Sequence, residues 1–171
     1  MKIRDENIAI VIRSAAVPLF KVGTLFWLAG CVTLVWGVGV FFDVAARPSR
    51  LREAAYHGDT ESVRALLDLG TNVHSRDGWN STALMYAAAE GHLEIVELLI
   101  NHGAPVDERS RMRRTPLMWA ARNGKMAIVR LLIDEGADAG LTDVDGQRAA
   151  ELASEPGHSS ITSYLAAATV E

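Results

Sequence analysis

The chain has 171 residues, 49% of them hydrophobic and 22% charged, with a mean hydropathy of +0.11 and a formal net charge of −4. That balance implies no general nucleic-acid affinity, and a single cysteine excludes an intrachain disulfide framework and a cysteine-based zinc site. So high an apolar share beside an ordinary charge share means that the apolar residues are unevenly spread.

Residues 1–21 form the first predicted segment. Ile8, Val11, Ile12, Ala15 and Leu19 follow helical spacing, and Pro18 breaks or kinks the helix near the end of the segment. The pattern fits an interfacial helix lying on a membrane. The alternative is a longer, tilted span that places Arg13 in the hydrocarbon, where a charge is costly.

Residues 22–42 are the predicted transmembrane helix. Val22 to Phe42 is a run of 21 residues without a charge, closed by Lys21 and Asp43. At 1.5 Å per residue such a helix spans about 31 Å, the thickness of a bilayer core. A cleavable signal peptide competes, since Val44 and Ala46 suit the −3 and −1 positions. Its charged and apolar regions would each have 21 residues, too long for that role, which favours an uncleaved anchor. Gly23, Gly30 and Gly37 recur every seven residues with Thr33 on the same stripe, a surface on which another transmembrane helix could pack.

Lys2, Arg4, Arg13 and Lys21 precede the span, and Arg47, Arg50 and Arg52 come after it. Four against three tilts the N-terminus towards the cytoplasm and residues 47–171 towards the far side. Cys31 lies inside the span, so the remainder is thiol-free, which suits an oxidising compartment. Three lysines against 14 arginines fit a GC-rich bacterial source. The expected location is therefore a bacterial inner membrane, with the C-terminal part periplasmic rather than cytoplasmic.

Residues 43–49 read as a tether, and residues 50–171 as a repeat domain. Gly58, Gly91, Gly124 and Gly157 are 33 residues apart, and Gly70, Gly103 and Gly136 share that spacing. In each unit an Ala-rich helix ends near a glycine. A second helix carries apolar residues at i, i+3 and i+4, as in Ile95, Leu98 and Leu99, and stops at Asn-His-Gly or Asp-Glu-Gly. Small Ala87, Ala88, Ala120 and Ala121 let neighbouring helices sit close. A lone unit leaves an apolar face open, so stacking makes the core.

The stretches Thr82-Ala83-Leu84-Met85-Tyr86-Ala87-Ala88 and Thr115-Pro116-Leu117-Met118-Trp119-Ala120-Ala121, with the second halves Ile95–Ile100 and Ile128–Ile133, resemble the ankyrin repeat family over about residues 48–167. The resemblance implies an all-α solenoid of helix-turn-helix units with short hairpin fingers, about four repeats in all. The first unit lacks a preceding finger and carries Arg50, Arg52 and Glu53 where internal units are apolar or small. The last has Ala150 in place of Leu84 and Leu117, and Pro156 before Gly157. Polar, atypical end units are the expected caps. Met85 and Met118 stand where the family motif usually has histidine, trading a hydrogen-bonding group for apolar packing.

The same resemblance implies a protein partner on the finger tips and the concave inner helices. By register the finger positions are Trp79 and Ser81, then Arg111, Met112 and Arg114, then Val144, Asp145 and Gln147. The groove positions are Tyr56 and His57, Ala89 and Glu90, Arg122 and Asn123, Ser154 and Glu155. Trp79 on an exposed hairpin is a hot-spot candidate, or else packs over the next finger. Arg109, Arg111, Arg113 and Arg114 make a basic tip on a segment, 47–171, that holds 13 Lys/Arg and 18 Asp/Glu. They could clamp an acidic partner, touch anionic lipid, or pair with Asp77, Asp107, Glu108 and Asp143. Arg113 takes a turn position commonly held by glycine, so a left-handed residue is expected there.

Catalytic signatures do not emerge. His92, His102 and His158 sit at repeat consensus positions, and no zinc, nucleotide-loop or nucleophile-elbow spacing occurs. The reading is therefore a non-enzymatic interaction module without cofactor or small-molecule substrate, recruiting or regulating a protein. A dedicated inhibitor, immunity or stabilising factor for one enzyme or toxin uses the same surface and remains the alternative.

Overall fold

The computed structural model describes residues 46–153 and 158–168. The interfacial segment, the span 22–42 with Gly23, Gly30, Thr33 and Gly37, and groove positions Ser154 and Glu155 lie outside the described residues. Among the described residues no helix is long and apolar enough to cross a membrane.

Eight helices occur there: α1 over residues 46–57, α2 Thr60–Asp68, α3 Ala83–Glu90, α4 Leu93–Asn101, α5 Pro116–Arg122, α6 Met126–Asp134, α7 Ala149–Leu152 and α8 Ser159–Ala168. They form four helix-turn-helix units. Inner helices α3, α5 and α7 pack side by side, and outer helices α2, α4, α6 and α8 make a second layer. This is the helical repeat solenoid that the 33-residue period implies. Residues 46–49, within the stretch read as a tether, are helical and continue into α1.

Local chemistry explains each inner helix. Thr82 and Thr115 are extended N-caps whose Oγ1 atoms accept from the Met85 and Met118 amides at 3.4 and 3.3 Å. Pro116 comes next, at a first-turn position where no amide is needed. The last unit has Arg148 instead of threonine. There Glu151 reaches back to accept from the Arg148 amide at 2.7 Å, and α7 has only four residues against eight in α3.

Gly58 and Gly124 end the inner segments with φ of 78° and 71°. Neither position has room for a side chain. A Cβ on Gly58 would lie 2.5 Å from His92 Cε1 of the second unit, and one on Gly124 would meet His158 of the last. His92 Nε2 also contacts the Tyr56 carbonyl at 3.1 Å, stapling the first unit to the second. The helical core includes Ala87, Ala88, Ala120 and Ala121 on the inner helices and Ile95, Leu99, Ile128, Leu132, Ile161 and Leu165 on the outer ones. Met85 and Met118 are buried, in line with a packing role.

Candidate partner-binding surface

Three fingers project between the units, and their backbone repeats with the same period. The amides of Asp77, Ser110 and Asp143 donate to the carbonyls of Ser81, Arg114 and Gln147 at 3.0–3.1 Å. Inside each turn Asn80, Arg113 and Gly146 donate to the residue at the turn's start. These three have φ of 62°, 56° and 78°, so the left-handed conformation expected of Arg113 is present. Neighbouring tips are linked in turn: the Arg111 amide donates to Trp79 O at 2.8 Å, and the Val144 amide to Met112 O at 3.1 Å.

Aspartates fasten the first and third turns. Asp77 Oδ1 accepts from the Trp79 and Ser81 amides, both at 2.8 Å, and Oδ2 accepts from the Tyr86 hydroxyl at 2.6 Å. Burial pushes the Asp77 pKa up, but the Tyr86 hydroxyl, the two amides and the Arg52 charge hold it below the usual carboxylate value. The same contact raises the Tyr86 phenol, with burial and the Asp77 charge adding to it. Asp143, 1% exposed, uses Oδ1 on the Asp145 and Gln147 amides and Oδ2 on Arg114 Nε at 3.2 Å. There too burial opposes ionisation, and the Gln147 amide, Arg114 and the Asp145 amide outweigh it, so its pKa is lowered.

This arrangement corrects the basic tip. Arg114 is 7% exposed, paired with Asp143, and its guanidinium lies 5.4 Å from the Trp119 ring centroid. It is a strut between fingers rather than a contact residue. Arg109 is likewise engaged, donating to the Thr142 carbonyl and, at 3.4 Å, to the Arg113 carbonyl. Arg111 and Arg113 are the two arginines of the group that face solvent. Ser81 is also buried, its amide committed to Asp77.

The other candidates are placed at the surface. Trp79 is 69% exposed and Met112 48%, while Tyr56, Glu90, Arg122, Asn123 and Asp145 are also exposed. Asn123 has one amide hydrogen committed, donating to Ala89 O at 2.8 Å and tying the third unit to the second. Trp79, Ser81, Arg111 and Met112 come together around a concavity of about 220 Å³, which Tyr86, Ser110 and Trp119 complete. Tyr56, Glu90, Arg122, Asn123 and Asp145 do not line it. Tyr56 adjoins it, however, its ring meeting Tyr86 edge-on at 6.1 Å between centroids.

Tyr86, Ser110 and Trp119 are the lining residues that sequence reasoning missed as site residues. For Tyr86 and Trp119 the available signal was that both are large aromatics at one register position, 33 residues apart, on the inner helices. Among the described residues no group of three or more His, Cys, Asp and Glu side chains is placed to hold a metal ion. His92 and His102 serve the backbone, at Tyr56 O and, at 2.8 Å, Leu98 O.

A family model described as ankyrin repeats (3 copies) matches residues 51–143 and, overlapping, 104–171. No curated protein matches the chain.

Proposed function

The chain belongs to the ankyrin repeat family, and from that premise we propose that it is a membrane-anchored, non-enzymatic module that recruits, assembles or regulates a partner protein. Ankyrin repeats are protein–protein interaction modules. The observation that carries the reading is the exposed Trp79 beside Met112 at the rim of the inter-finger concavity. Solvent-facing aromatics of this kind supply much of the binding energy at protein interfaces.

The membrane half rests on the 21-residue uncharged run Val22–Phe42. Four basic residues before it and three after it favour a bacterial inner-membrane protein with a periplasmic solenoid. The stripe Gly23, Gly30, Thr33 and Gly37 suits packing against a transmembrane helix of a larger membrane complex. Confinement to a membrane raises local concentration, so a modest solenoid affinity suffices.

Pull-down of the full-length chain in mild detergent, then mass spectrometry, tests the reading. A stoichiometric protein partner that is lost with Trp79→Ala while helicity is unchanged supports it. Turnover of a small molecule by the purified chain, or no partner dependent on this surface, refutes it. A compartment-sensitive reporter fused after Glu171 tests the topology, and a cytoplasmic signal overturns the periplasmic placement.

A further inference from the structure

Resting on the interaction-module reading, we infer that the concavity between the first two fingers receives one bulky apolar side chain of an extended, acidic segment of the partner protein. Its volume, about 220 Å³, is smaller than the roughly 300–1,000 Å³ of pockets that hold drug-sized ligands. A single anchoring side chain fits that scale better than a cofactor. The walls are the rings of Trp79 and Trp119 and the side chain of Met112. Among the polar groups nearby, the Tyr86 hydroxyl donates to Asp77, Ser110 Oγ accepts from the Arg114 amide, and Arg114 over Trp119 is held by Asp143. The cavity therefore offers an anchor apolar surface and no unpaired buried charge.

Charge selects the residues that flank the anchor. Arg111 lines the concavity, and Arg113 is on the same exposed tip. Among the described residues their side chains make no ion pair, unlike Arg64, Arg76, Arg114 and Arg148. They are a local positive site on a segment, 47–171, whose formal charge is −5. An acidic ligand is attracted to this tip and repelled by much of the remaining surface, which sets its register. Anionic lipid headgroups would satisfy the arginines but leave the apolar walls uncovered.

The test uses the full-length chain, immobilised in mild detergent and panned against a random dodecapeptide display library. Recovered peptides are then made synthetically with a fluorophore, and their affinities measured by anisotropy. The expected winners carry one Leu, Ile, Met, Phe or Trp flanked by at least two Asp or Glu residues. Trp79→Ala weakens them by about tenfold or more. The pair Arg111→Ala with Arg113→Gly weakens them by about three- to tenfold at low salt, and by less at high salt. Both variants keep the helicity of the parent, since all three side chains are exposed. The inference is overturned if the library yields no acidic–apolar pattern, or if winners ignore these substitutions. It is equally overturned if phosphatidylglycerol vesicles bind in a manner that needs the two arginines and not Trp79. Should the peptides fail while a co-purified protein partner still depends on Trp79, only the proposed chemistry falls. Loss of every such partner removes the interaction-module reading itself.

Discussion

The finger around Asp77 and the finger around Ser110 share one backbone pattern but are fastened differently. In the first, a single carboxylate collects two turn amides and the Tyr86 hydroxyl. In the second, Ser110 Oγ accepts only the Arg114 amide, at 3.2 Å, and the turn contains Arg113 at φ 56°. That finger is held from outside, by Arg109 donating to Thr142 O and Arg114 pairing with Asp143 of the next finger. A repeat with a weaker turn of its own has borrowed its order from a neighbour. The basic residues that look like a free patch in the sequence are partly used up in doing so.

The largest expected effect breaks that borrowed support. Asp143→Asn keeps an acceptor for the turn amides but leaves the buried Arg114 guanidinium without its anion. Removal of one partner of a buried pair costs about 3–5 kcal/mol. The readout is a lower melting temperature by circular dichroism of the full chain in mild detergent. The pair also predicts a pH dependence. Asp143 has a lowered pKa when folded, so its contribution is complete above the unfolded value of about 3.9 and is lost as pH falls through the folded value. Melting temperatures of the parent should therefore fall more steeply below about pH 4 than those of Asp143→Asn. Parallel curves would contradict the pairing.

Asp77→Ala should cost less, about 2 kcal/mol, because it strips neutral donors rather than a buried cation. Equal losses at Asp77 and Asp143 would erase the distinction between a self-fastened and a neighbour-fastened finger. Arg113→Gly acts in the opposite direction. It removes a side chain from a left-handed position and should stabilise by about 1 kcal/mol, seen as a raised melting temperature. The smallest change is Arg111→Ala, an exposed residue, with a stability effect within about 0.5 kcal/mol.

The architecture was legible because a repeated unit writes its geometry many times. Glycines at a period of 33 marked the inner-helix ends, and Arg113 at a turn position commonly held by glycine betrayed its left-handed turn. The core alanines and buried methionines came from the same register. Side-chain pairing between units was legible only as an alternative: Asp143 could be placed among the possible partners of the arginine group, but not which arginine reaches it. Arg109, Arg111, Arg113 and Arg114 are nearly adjacent in sequence, and their different fates are set by Thr142 and Asp143, about thirty residues on. A period says which residues share a position, but not which of them reaches across to the next unit. Tyr86 and Trp119 illustrate the same limit. Each reads as an ordinary motif residue, and only stacking brings them beside Trp79 and Met112. At the N-terminal side, residues 46–49 read as a tether, and they are helical, in α1.

The claim that this concavity is where a partner protein binds can be tested at two positions of the full-length chain in its native membrane. A photo-crosslinking amino acid is placed at Trp79, on the first finger, or at Glu97, an exposed residue of outer helix α4. Irradiation should give a discrete protein adduct from position 79 and none from position 97. Adducts of equal yield from both positions, or from 97 alone, would contradict the assignment of this surface.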